Sequence, residues 1–83
     1  MVESTIVITV NLIKQGKLLD LEIPLDIFAS ELKEALFEEY LPELKADMHR
    51  CVLRAERPIA LIRDNHTLRA SGLRDGSIIN IKM

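Results

Sequence analysis

The chain opens on strict alternation of apolar and polar positions. Within residues 5–13, TIVITVNLI, Ile6, Ile8, Val10 and Leu12 fall on one face of an extended backbone. Thr5, Val7, Thr9 and Asn11 fall on the other. KQGK follows, and its Gly16 suits the positive φ of a hairpin turn. LLDLEI then alternates again, with Leu19, Leu21 and Ile23 inward and Asp20 and Glu22 outward. Two such strands around a short glycine turn predict a hairpin. Pro24 ends it, because proline has no N–H to give to a ladder.

The period then lengthens. Over residues 27–40, Ala29, Leu32, Leu36 and Tyr40 form a stripe at helical spacing, widened by Phe28 and Ala35. Glu31, Lys33, Glu34, Glu38 and Glu39 take the solvent side. Asp26 is the expected N-cap, with Ser30 as its competitor. Pro42 disfavours helical geometry at Leu41 and stops the helix there. PELKADMH is a polar connection with room for a short helical turn. RCVLRA restores alternation, Cys51 and Leu53 on one face and Arg50, Val52 and Arg54 on the other. IALI reads as a short fourth strand, with Pro58 suiting a sheet edge. A long loop pinned by Leu68 and Leu73 ends in the tight turn RDG. SIINIKM then alternates, with Ile79, Ile81 and Met83 inward and Ile78, Asn80 and Lys82 outward.

The order is thus ββαββ with a late fifth strand, and one helix has one sheet face to cover. The last strand fits most economically between the two hairpins, parallel to the first strand, with the helix supplying a right-handed crossover. That is an α+β, ubiquitin-like β-grasp: a five-stranded mixed sheet packed on one amphipathic helix. Its expected extent is a single domain over residues 1–83, ordered from about residue 4.

Composition narrows the function. Apolar residues make up 48% of the chain, enough for one core, and 29% charge keeps that core soluble. No run approaches the roughly 20 apolar residues of a membrane span. The start lacks the basic and apolar regions of a secretory signal, and the single cysteine, Cys51, fits a reducing compartment. A cytoplasmic protein is the expectation. Residues 1–47 hold four lysines against ten acids, while residues 48–83 hold six arginines and one lysine against three acids. Nucleic acid would be the rival partner of that basic half. The overall net charge of −2 and the lack of aromatic residues on the inferred sheet face argue against it.

The segment DNHTLRASGLRDGSIINI resembles the close of ubiquitin-like domains, where a Thr-Leu turn and an apolar anchor precede the last strand. LDLEIP, a helix and then TLRASGLRDGSIINI are similar to the YukD/EsaB ubiquitin-like proteins of type VII (WXG100) secretion systems. The cytosolic ubiquitin-like domain of EccD is similar too. The likeness runs along the chain from about Thr5. It implies an accessory or regulatory cytosolic component that binds other proteins, namely membrane-embedded or ATPase parts of the secretion complex. From the residues themselves no cofactor, no nucleic acid and no insertion into the membrane are expected, and a homodimer stays open. The sequence ends Ile81-Lys82-Met83 with no glycine after Gly76, so conjugation through a Gly-Gly tail is not expected. A scaffold or signalling adaptor outside secretion is the alternative reading, followed by a processed carrier protein.

Ubiquitin binds partners through an apolar patch on its third and fifth strands. By strand position Val52 is the centre of the corresponding surface here, flanked by Arg50 and Arg54 and neighboured by Asn80 and Lys82. Such a surface is either a solvated strand face or a site for an acidic protein segment, because guanidinium pairs bidentately with carboxylates. Outward Val7, Leu18 and Ile78 extend the apolar area. Cys51, His49 and His66 are the nearest approach to a catalytic or metal group. They match no zinc spacing, and Cys51 reads as a small buried hydrophobe. No phosphate loop or hydrolase motif is present, so no enzymatic activity is expected.

Overall fold

The computed structural model describes residues 4–57 and 59–82, with Lys82 described through its backbone. Strands β1 (Thr5–Leu12) and β2 (Lys17–Pro24) form an antiparallel hairpin. A single 3₁₀ turn, Ile13–Gln15, joins them through Gly16, whose φ of 64° is the left-handed conformation that glycine adopts without a Cβ penalty. Helix α1 (Ala29–Tyr40) and a 3₁₀ segment (Pro42–Arg50) lead to β3 (Val52–Glu56), β4 (Ala60–Ile62) and β5 (Ile78–Lys82). The sheet order is β2-β1-β5-β3-β4. β5 lies parallel to β1, with Val10 opposite Ile79, and antiparallel to β3, with Leu53 opposite Ile81. The sequence expectation of a mixed sheet with its last strand at the centre holds.

The alternation sorts as expected. Ile6, Ile8, Val10 and Leu12 of β1, Leu53 and Ala55 of β3, and Ile79 and Ile81 of β5 are all buried under α1. Expectations for Met83 and Pro58 lie outside the described residues, as does that for the side chain of Lys82.

The helix differs from its expected form in three ways. It begins at Ala29, and the Glu31 carboxylate accepts the Phe28 N–H at 3.0 Å. The N–H groups of Ala29 and Ser30 donate to the carbonyls of His66 and Asp64, at 2.9 and 3.2 Å. A loop distant in sequence therefore satisfies donors that a side-chain cap usually takes. Asp26 is not the cap; its carboxylate accepts Arg69 Nε at 2.8 Å and Nη2 at 3.2 Å. The buried face is also rotated from the expected stripe. Phe37 is fully buried, whereas Ala35 is exposed and Phe28 is 47% exposed. Lys33, expected in solvent, is buried. Its Nζ donates to the Cys51 carbonyl at 2.9 Å and pairs with Asp64 at 2.8 Å. A buried ammonium needs such partners, and the same rotation that seats Phe37 carries Lys33 inward.

The loop before β5 is fastened from both sides. Leu68 and Leu73 enter the core. Leu68 N–H donates to the Ile27 carbonyl and Arg69 N–H to that of Leu25. The fully buried Ser77 hydroxyl donates to the Arg57 carbonyl at 2.7 Å and accepts the Arg74 N–H at 3.0 Å.

Two outcomes follow from this packing. Phe37→Ala leaves a cavity at the centre of the core and lowers unfolding free energy by about 3–5 kcal/mol, read by urea denaturation. That loss is comparable with the whole stability of a small domain. Arg69 holds the Asp26 carboxyl below its ordinary range, chiefly through their hydrogen bonds. A depressed folded-state pKa contributes stability above the unfolded value of about 3.9 and loses it as pH falls through the folded value. Asp26→Asn is therefore expected to lower the urea midpoint at pH 7, and the gap to the parent protein closes as the solution is acidified.

Candidate functional site on the outer sheet face

The sheet has one face against the helix and one toward solvent. Register assembles the solvent face into rows that cross strands. Leu18 of β2, Asn11 of β1, Asn80 of β5, Arg54 of β3 and Leu61 of β4 stand side by side. Glu56 stands opposite Ile78, and Val52 opposite Lys82.

Polar side chains knit the middle of this face. Asn11 Nδ2 donates to Asn80 Oδ1 at 3.0 Å, and Asn80 Nδ2 donates to Glu56 Oε2 at 3.2 Å. The Thr9 hydroxyl donates to Asp20 at 2.8 Å. Asn80 is thereby held by both neighbouring strands. Its amide also occupies the carboxylate nearest to Arg54 along β3, and none of the ion pairs described involves Arg54.

Apolar groups collect at the β3–β4 margin. Val52 is 52% exposed and Leu61 59%, and Ile59, just before β4, is 92% exposed. Val52 and Arg54 share the solvent face of β3 as expected, and Leu61 faces Arg54 across the β3–β4 pair. Arg50 is placed differently. It closes the 3₁₀ segment before β3 begins, and lines a separate recess of about 250 Å³ with Lys14, Leu44 and Asp47. The Lys82 backbone pairs with Val52, while its side chain is outside the described residues. Sequence reading missed Leu61 and Ile59. Alternation over the three residues of β4 is too short to assign a face, and only the register with Arg54 does so.

The Cys51 neighbourhood lies around the edge of the sheet. Lys33, His49, Cys51, Val52, Leu61 and Asp64 are among the residues lining a recess of about 440 Å³. The thiol itself is buried, and burial pushes its pKa up against a smaller lowering by Lys33. That is the reverse of what a nucleophilic thiolate needs. His66 contributes its backbone carbonyl to the start of α1. Among the described residues no three His, Cys, Asp or Glu side chains come together as a metal site. Among the same residues no helix is long and apolar enough to cross a membrane.

Solved structures with the same arrangement settle its type. The C-terminal ubiquitin-like domain of mouse tubulin-specific chaperone e superposes with a TM-score of 0.77 at 13% identity, over 98% of this chain and 88% of that one. The fold is ubiquitin-like. The same shape is found in the UBL domain of Plasmodium falciparum Dsk2, with TM-score 0.65 and 18% identity over 95% and 100% of the two chains. It is also found in a chain of the toluene 4-monooxygenase HD complex with 4-bromobenzoate, with TM-score 0.69 and 15% identity over 94% and 96%. No protein-family model matches the chain, and no curated protein matches it in sequence. At such identities the ubiquitin-like fold is shared, while the chemistry of the surface is this chain's own.

The buried Cys51 offers a direct check of this geometry. Ellman's reagent is expected to label it at least about tenfold more slowly in the native protein than in denaturant, because attack requires an exposed thiolate. Equal rates in the two states would contradict the burial.

Proposed function

We propose that this chain is a non-catalytic, ubiquitin-like protein-binding module that receives an acidic partner segment on its β3–β4 margin. The observation that carries this reading is the placement of Arg54, outside the ion pairs described and on the solvent face between exposed Val52 and Leu61. A guanidinium between two aliphatic contacts suits a carboxylate with an apolar neighbour. Asn80 and Lys82 complete the proposed surface, and Arg50 lies apart from it in the recess with Lys14, Leu44 and Asp47. Asn80 serves through its amide, which is held by Asn11 and Glu56.

The likeness of LDLEIP and TLRASGLRDGSIINI to YukD/EsaB proteins supports the finer role. In that role the module is an accessory or regulatory cytosolic component of a type VII secretion system, docking on its membrane-embedded or ATPase subunits. The Cys51 thiol is buried and its pKa raised by that burial, which favours binding over nucleophilic chemistry.

A pull-down from cytosol and solubilised membrane tests both levels. Capture of secretion-system subunits is expected, weakened about tenfold or more by Arg54→Glu, since one charge-assisted pair is worth about 1.5–3 kcal/mol. Specific capture of unrelated signalling proteins through Arg54 would overturn the secretion role. Recovery of nucleic acid alone would overturn the binding reading itself.

A further inference from the structure

The opposite margin of the sheet has different chemistry. β2 is an outer strand of eight residues and, among the described residues, pairs with β1 alone. Which of its backbone groups face outward follows from the register. Leu25 N–H donates to the Ser4 carbonyl at 3.0 Å, so the hydrogen-bonded pairs of the hairpin alternate from there. Ile6 with Ile23, Ile8 with Leu21, and Val10 with Leu19 exchange bonds; Val7 with Glu22, Thr9 with Asp20, and Asn11 with Leu18 do not. The other side of β1 agrees. Val7 N–H donates to Asp75, its carbonyl accepts from Gly76, and Thr9 N–H donates to the Ser77 carbonyl. The N–H and C=O of Leu18, Asp20 and Glu22 therefore point out of the sheet along its open side.

Beneath this open side runs an apolar groove. It has a volume of about 190 Å³ between β2 and α1 and is lined by Leu21, Ile23, Leu32, Leu36 and Tyr40 together with the acids Glu22 and Glu39. Leu19 and Leu21 face inward yet stay only half-buried, since among the described residues no strand lies beyond β2. Charge completes the picture. Residues 18–40 carry seven carboxylates and a single cation, Lys33, which is buried against Asp64.

We propose that this margin binds an extended peptide segment in which apolar and basic residues alternate. Such a segment adds a sixth strand to β2, its backbone meeting the outward groups of Leu18, Asp20 and Glu22. Alternate side chains then fall on opposite faces. Apolar ones enter the groove beside Leu21, Leu36 and Tyr40, and basic ones stand beside Asp20 and Glu22. A second copy of this chain is a poorer occupant. Pairing β2 with β2 sets Asp20 and Glu22 against their own copies, and β4 offers only three residues against eight.

An NMR titration with a blocked eight-residue peptide of alternating valine and lysine tests this. Saturable shifts are expected at residues 18–23 and at Ala35, Glu39 and Tyr40, with slowed amide exchange at Leu18, Asp20 and Glu22. The affinity should fall about tenfold in Asp20→Lys/Glu22→Lys, whose two positions are exposed. Raising salt on the unaltered protein should weaken binding in the same sense, giving a readout that needs no variant. The proposal is overturned by equal binding of a valine–glutamate peptide, or by shifts centred on β3 and β4. It is also overturned by an absence of saturable shifts up to about 1 mM peptide. Concentration-dependent shifts at β2 without peptide would assign the margin to a second copy and overturn it as well.

Discussion

The parallel ladder between β1 and β5 decides the architecture. It sets Asn11 against Asn80, 69 residues apart, and turns two separate hairpins into one sheet. Without it each hairpin would keep an unpaired inner side, and α1 would lack a continuous apolar face to cover. Val10 and Ile79, opposite one another and fully buried, show how closely the ladder and the core are the same feature. The side chains on the other face of the ladder are aligned by the same register. The row from Leu18 to Leu61 exists only because β5 is central.

That alignment converts a linear asymmetry into a spatial one. The acid-rich first half of the chain supplies β2 and the helix, and the arginine-rich second half supplies β3 and β4. With β5 and β1 between them, the two kinds of charge end up at opposite margins of a sheet. The neutral row of Asn11 and Asn80 separates them. A surface of this sort orients an approaching charged partner more than it attracts one, since the net charge is only −2.

The strands and their order were readable in the sequence, because period-two alternation and turn glycines are strong local signals. Val52 and Arg54 were placed on the right face for the same reason. What escaped sequence reading depended on distant groups. The helix began later than Asp26 implied because its first N–H groups are met by Asp64 and His66, which no local pattern announces. Lys33 looked like a solvent residue, and only the Cys51 carbonyl and Asp64 make its burial tolerable. Alternation extends the strand back to Arg50 because a 3₁₀ segment running directly into β3 shows no break in composition. Leu61 joined the surface through cross-strand register alone.

The central position of β5 also governs how the molecule is made. Synthesis is vectorial, so the ribosome delivers β1, β2, α1, β3 and β4 before the strand that unites them. Without Ile78–Lys82 in place, β1 and β3 each keep a vacant side and the apolar face under α1 lacks Ile79 and Ile81. The sheet is continuous only when these five residues pair with β1 on one side and β3 on the other. A translation product halted inside the loop before β5 would expose those sticky sides and become a target for chaperones and proteases rather than a smaller working domain.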